Sequence, residues 1–124
     1  MTETQKRRLI LQLVERWVTP MWLTEWTVKV EFPTRMKYTA TCTASPEYLQ
    51  CVLSFNLQRM PDDLDQIREM VCHEMTHPTT WALAELAFRG ARRTAERREA
   101  IRKAEEQLTT RVSRMMLPHL PSHE

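Results

Sequence analysis

Leu9, Ile10, Leu13, Val14 and Trp17 recur at helical spacing, with Lys6, Arg7, Arg8, Gln12, Glu15 and Arg16 between them, and the pattern stops before Pro20. An amphipathic first helix is predicted there. The period then changes to two. Trp26, Val28, Val30 and Phe32 alternate with Thr27, Lys29 and Glu31, which predicts a half-buried strand ended by Pro33. Tyr38, Ala40, Cys42 and Ala44 alternate with threonines as a second strand. After a turn at Ser45-Pro46-Glu47, Leu49, Cys51, Leu53, Phe55 and Leu57 make a third. Three consecutive short strands imply an antiparallel meander.

The helical period returns after Met60-Pro61-Asp62-Asp63, where a proline tolerated in the first turn and two carboxylates at the positive end of the dipole suit a helix start. Leu64, Ile67 and Val71 form its apolar stripe, and the helix runs into His73 and His77. Pro78 is expected to kink or end it, since proline clashes with the carbonyl of Glu74 and disfavours helical geometry at His77. Helical character resumes over Ala82–Leu86, breaks near Gly90 and continues as a long charged helix to about Met116. Ile101, Leu108, Val112 and Met115 define the predicted core stripe of that last helix, and residues 118–124 are expected to fray. The predicted architecture is α+β in a single domain, 1–124: an N-terminal helix, the meander, a central helix and a long C-terminal helix.

His73-Glu74-Met75-Thr76-His77 is an HExxH segment. Residues four apart share a helix face, so His73 and His77 can offer two imidazole nitrogens to one zinc ion while Glu74 sits beside it. A catalytic zinc keeps three protein ligands and an open position, where a bound water becomes acidic and a carboxylate takes its proton. The metzincin form needs glycine and histidine where this chain has Thr80 and Leu83, so that class is excluded. A His2Glu site takes its third ligand from a glutamate on a later helix. Glu105 fills the gap in the C-terminal stripe, four residues after Ile101 and three before Leu108. A carboxylate at a core position is costly to bury unless a cation pairs with it. Glu106, on the face of Arg102, Thr109, Thr110 and Ser113, is expected to be solvated; it becomes the ligand if the helix is rotated by one position. Glu85, Glu96, Glu99 and His119 are weaker candidates. Tyr38 and Tyr48 are candidate oxyanion donors by side-chain type alone.

The chain has 124 residues, enough for one modest core, and its net charge of +2 gives no independent argument for nucleic acid as a partner. Arg89, Arg92, Arg93, Arg97, Arg98, Arg102 and Lys103 concentrate positive charge late in the chain, interleaved with glutamates as on a solvated helix face. No apolar run approaches the roughly 18 residues of a membrane span. The N-terminus lacks a signal-peptide pattern, so the expected location is cytoplasmic. Cys42, Cys51 and Cys72 are odd in number and lack CxxC spacing, which fits reduced thiols, although Cys42 and Cys51 could face each other across a hairpin.

With Trp26–Phe32 leading the strands, HEMTH following a Pro-Asp-Asp helix start and EEQLTTRVSRMM near the end, the sequence resembles small phage-encoded metallopeptidases of the minimal gluzincin type from Trp22 to Met116. The resemblance implies a zincin-like core, zinc held by His73, His77 and a glutamate of the EEQ segment, Glu74 as general base, and a host-cytoplasmic location. The expected function is hydrolysis of a peptide or protein substrate with zinc as cofactor, an extended substrate lying along an outer strand such as Leu49–Phe55. The alternatives are a non-catalytic protein in which zinc clamps two helices, and an adaptor binding anionic partners through the arginine-rich helix.

Overall fold

Thr2 caps the first helix, α1 (Glu3–Trp17), through a reciprocal capping box with Gln5. Its buried face carries Leu9, Ile10, Leu13, Val14 and Trp17, the predicted stripe. Lys6 is buried as well: its ammonium donates to the carbonyl of Met60 (2.7 Å) and pairs with Asp62 (3.1 Å), which ties α1 to the loop before the central helix. The computed structural model describes residues 1–90 and 94–123, folded as α+β with three α-helices and a three-stranded sheet.

The strands are β1 (Thr27–Glu31), β2 (Ala40–Ser45) and β3 (Gln50–Phe55). They do not form the expected antiparallel meander. The sheet is mixed, in the order β1-β3-β2, with β1 parallel and β2 antiparallel to β3. Burial accounts for the order. β3 buries Cys51, Leu53 and Phe55, whereas β1 and β2 expose or only half-bury every residue. The most apolar strand takes the centre. A 3-10 turn at Pro46–Tyr48, closed by Leu49 in the left-handed region (φ 50°), joins β2 to β3 as neighbours, so β1 pairs with the opposite side of β3. The stretch Leu49–Phe55, expected as an outer strand, is therefore central with both edges occupied, and β2 is an edge strand with one side unpaired among the described residues. Cys42 lies opposite Leu53 and Cys51 opposite Ala44, making the two cysteines diagonal rather than direct partners; all three thiols are free.

Helix α2 (Leu64–Gly90) begins after Asp63, whose carboxylate accepts from the Gln66 amide (3.0 Å). It runs unbroken through Pro78, contrary to the expected kink or stop at His77. An interior proline costs about 3 kcal/mol in an isolated helix. Here its ring is fully buried, and burial of the helix on several sides offsets that cost. Helix α3 (Ala95–Met116) is capped by the Thr94 hydroxyl, which accepts from the Arg97 amide (3.2 Å). Arg92 and Arg93 of the basic run lie outside the described residues. Nor does the tail fray from Pro118: Leu120 is buried and the Trp17 indole N–H donates to the carbonyl of Pro121 (2.8 Å). Glu124 is outside the described residues.

The core sits between α1, the sheet and α2, where Ile10, Leu13, Trp17, Leu53, Phe55, Ile67, Val71 and Met75 are buried together. The other side of α2 faces β2 and α3 and carries the HExxH side chains. Among the described residues, no helix is long and apolar enough to cross a membrane.

Candidate metal centre

Helix α3 does not dock by its predicted apolar stripe. Its buried residues are Glu105, Thr109 and Ser113, spaced four apart on one face, while Leu108 and Met115 are exposed. The physical reason lies in the partner. The face of α2 turned to α3 presents His73, His77 and Thr80, polar groups that a row of leucines would leave unsatisfied. A rotation of about one position from the expected setting lets the polar side of α3 meet them.

The two helices meet through a chain of short polar contacts. His73 Nε2 lies 2.7 Å from Glu106 Oε1, and His77 Nε2 lies 3.3 Å from Glu106 Oε2. Glu106 thus reaches both Nε2 atoms, although 57% of its side chain is exposed. Glu105 stands on the other side of His77, with Oε1 2.7 Å from Nδ1. The same oxygen accepts from the hydroxyls of Thr80 (2.8 Å) and Thr109 (3.0 Å), and those two hydroxyls are 2.7 Å apart. The two imidazole rings are edge-on, with centroids 4.9 Å apart.

Electrostatics follow from this packing. Burial tends to lower the pKa of His77, but the hydrogen bond and charge of Glu105, then the charges of Glu74 and Glu106, leave it above its ordinary value. Burial raises Glu105, yet the donors His77, Thr80 and Thr109 bring it below the usual carboxylate value. Glu74 is different. It is only 7% exposed, and its Oε2 has no hydrogen-bond partner among the described residues. Its pKa is raised to about 7 as the net of several effects: burial raises it most, His77 pulls it back, and Glu106 and Glu105 add to the rise.

Among the described residues, two trios have ligating atoms within 4.8 Å of one another: His73, Glu74 and His77, and His77, Glu105 and Glu106. Two imidazoles with a carboxylate are a donor set suited to zinc. The weaker candidates Glu85, Glu96, Glu99 and His119 belong to neither trio. A cleft of about 420 Å³ opens beside His73 and Glu74, and Tyr38 lines it. A second cleft, about 240 Å³, lies beside His77 and Glu105, bounded by Cys42, Ala44 and Trp81. Tyr48, the other candidate oxyanion donor, is exposed on the β2–β3 turn and lines neither. The threonines that fix Glu105 were not singled out from sequence, because Thr80 and Thr109 are 29 positions apart and only the helix pairing brings them together. Compared with protein-family models, curated proteins and solved structures, the chain matches none.

Proposed function

We propose that the chain is a zinc-dependent peptidase of gluzincin-like type, with zinc held by the Nε2 atoms of His73 and His77 and by the carboxylate of Glu106. The observation that carries this is the buried Oε2 of Glu74, without a hydrogen-bond partner among the described residues, beside two imidazoles whose Nε2 atoms converge on the Glu106 carboxylate. A buried carboxylate oxygen without a donor is costly unless a function or a missing partner accounts for it. Glu105 is assigned a different task from the one its spacing suggested. An imidazole bound to metal through one nitrogen donates its other N–H to a carboxylate that fixes its tautomer, and Glu105 stands at Nδ1 of His77 in that relation. The threonine hydroxyls in turn fix Glu105.

A zinc ion at such a site supplies a Lewis acid that polarises a carbonyl and acidifies a nearby water. Glu74, with a pKa raised to about 7, chiefly by burial, is poised to take a proton from water and return it to a leaving amine. An extended peptide would pair with the free edge of β2, which runs past both clefts.

A second assignment, a zinc clamp without catalysis, is favoured by one observation: the contact of α3 with α2 is built on Glu105, Thr109 and Ser113 rather than on apolar burial. Glu74→Gln distinguishes the two. Under the peptidase assignment the variant keeps its zinc and its thermal midpoint while hydrolysis of a peptide library falls by about 100-fold or more. A wild-type protein that binds zinc tightly and cleaves no peptide in that library would sink the peptidase assignment in favour of the clamp.

A further inference from the structure

The larger cleft has a charged end away from the histidines. It is lined by Glu69 and Met70 on α2, by Tyr38–Ala40 leading into β2, and by Thr110, Ser113 and Arg114 on α3. Arg114 is the only arginine or lysine among these lining residues, and its guanidinium makes no hydrogen bond or ion pair among the described residues. Elsewhere the site is rich in carboxylates, with Glu74, Glu105 and Glu106 around the imidazoles. A guanidinium standing free at the end of such a groove offers a planar fork of donors that matches a carboxylate.

Distance fixes where that carboxylate would be. Arg114 follows Glu106 by eight residues on the same helix, about 12 Å along its axis at about 1.5 Å per residue. An extended peptide covers that span in about three or four residues. Direction follows from β2. Its start, at Tyr38–Ala40, flanks the cleft that holds Glu69, His73 and Glu74, and its later residues Cys42–Ala44 flank His77 and Trp81. A peptide pairing antiparallel to β2, the slightly more stable arrangement, runs the opposite way and brings its C-terminal side to Arg114.

We propose that Arg114 is the specificity determinant of this groove, binding a peptide carboxylate about three residues to the C-terminal side of the bond above Glu74. This rests on the peptidase assignment for the position of that bond. A free C-terminus and an Asp or Glu side chain present the same group, so either can occupy the site. Glu69, in the same cleft, opposes the binding by like charge.

Binding to the Glu74→Gln protein, with and without zinc, tests this apart from turnover. Three acetylated alanine-rich hexapeptides serve as probes: one with a free C-terminal carboxylate, one amidated, and one amidated with glutamate at the fifth position. Calorimetry is expected to show both acidic peptides binding at least about tenfold more tightly than the neutral one, the advantage lost in Arg114→Gln and enlarged in Glu69→Gln. Arg114→Lys should restore part of it. The stronger of the two acidic peptides identifies terminal or side-chain recognition. Equal binding of all three peptides, or tighter acidic binding that survives Arg114→Gln, overturns the proposal. Arg114-dependent binding by a protein whose wild type hydrolyses none of the three would keep the recognition site and discard the peptidase; hydrolysis indifferent to charge and to Arg114 would do the reverse.

Discussion

The two sides of α2 are held by different physics. Toward α1 and the sheet, α2 packs Ile67, Val71 and Met75 against Leu13, Trp17 and Phe55, all fully buried and without a polar group to satisfy except the Trp17 indole, which donates to Pro121. Toward α3 it presents His73, Glu74, His77 and Thr80, met by Glu105, Glu106 and Thr109. The first contact is non-directional and survives modest changes of shape. The second depends on individual hydrogen bonds in a low-dielectric setting, where each lost partner is expensive. Apolar burial is concentrated on one side of the helix and titratable groups on the other, so a change in either can be read separately.

The largest effect is expected from the apolar side. Phe55→Ala should cost about 3–5 kcal/mol in urea unfolding, whether zinc is present or not, because Phe55 lies in the core cluster away from the imidazoles. A loss that depends on zinc would mean the two sides are coupled. On the polar side, under the proposed zinc assignment, zinc should stabilise the wild type by about 2.7 kcal/mol at a concentration 100 times the dissociation constant, and Glu106→Ala should remove that gain and reduce zinc affinity by more than about 100-fold. Glu105→Gln should lower zinc affinity by only about 10- to 100-fold, as expected of a carboxylate that orients His77. If the two variants exchange these effects in a metal titration, Glu105 is the ligand and Glu106 is not.

Thr109→Val should destabilise by about 1–3 kcal/mol, since it leaves Glu105 short of one buried donor. Double-mutant analysis with Thr80→Val should give less than the sum, because both hydroxyls serve the same carboxylate oxygen. The smallest effect belongs to Asp62, exposed beside Lys6 and the N-terminus. Its pKa is lowered by the hydrogen bond from Lys6, so its contribution is present above the ordinary carboxylate pKa and is lost as pH falls through its depressed value. Asp62→Asn should therefore lower the thermal midpoint slightly at neutral pH, with the difference from wild type vanishing in acid.

Local patterns were legible where a single element decides the outcome. The α1 stripe, the three strand positions and the HExxH face follow from period and capping chemistry within a few residues. Helix α2, by contrast, starts at Leu64, after the Met60–Asp63 stretch expected to open it, so that Pro61 precedes the helix instead of standing in its first turn. Strand order was not legible, because alternation says that Leu53 and Phe55 face inward but not which strand has neighbours on both sides. Nor was the path through Pro78: its local cost is fixed by the chain, while its tolerance depends on burial supplied by other elements.

The rotation of α3 shows most plainly where the sequence stops. Its apolar residues Ile101, Leu108, Val112 and Met115 mark a stripe, and hydrophobicity alone turns that stripe inward. The partner surface on α2 is polar, so α3 keeps only Glu105 of that stripe buried, adds Thr109 and Ser113 beside it, and swings Glu106 toward both imidazoles. By itself the sequence determined which side chains could do chemistry and on which helices they stand. Only the tertiary structure decided which carboxylate meets which nitrogen, since that choice is made by satisfying buried polar groups across an interface that neither helix encodes alone.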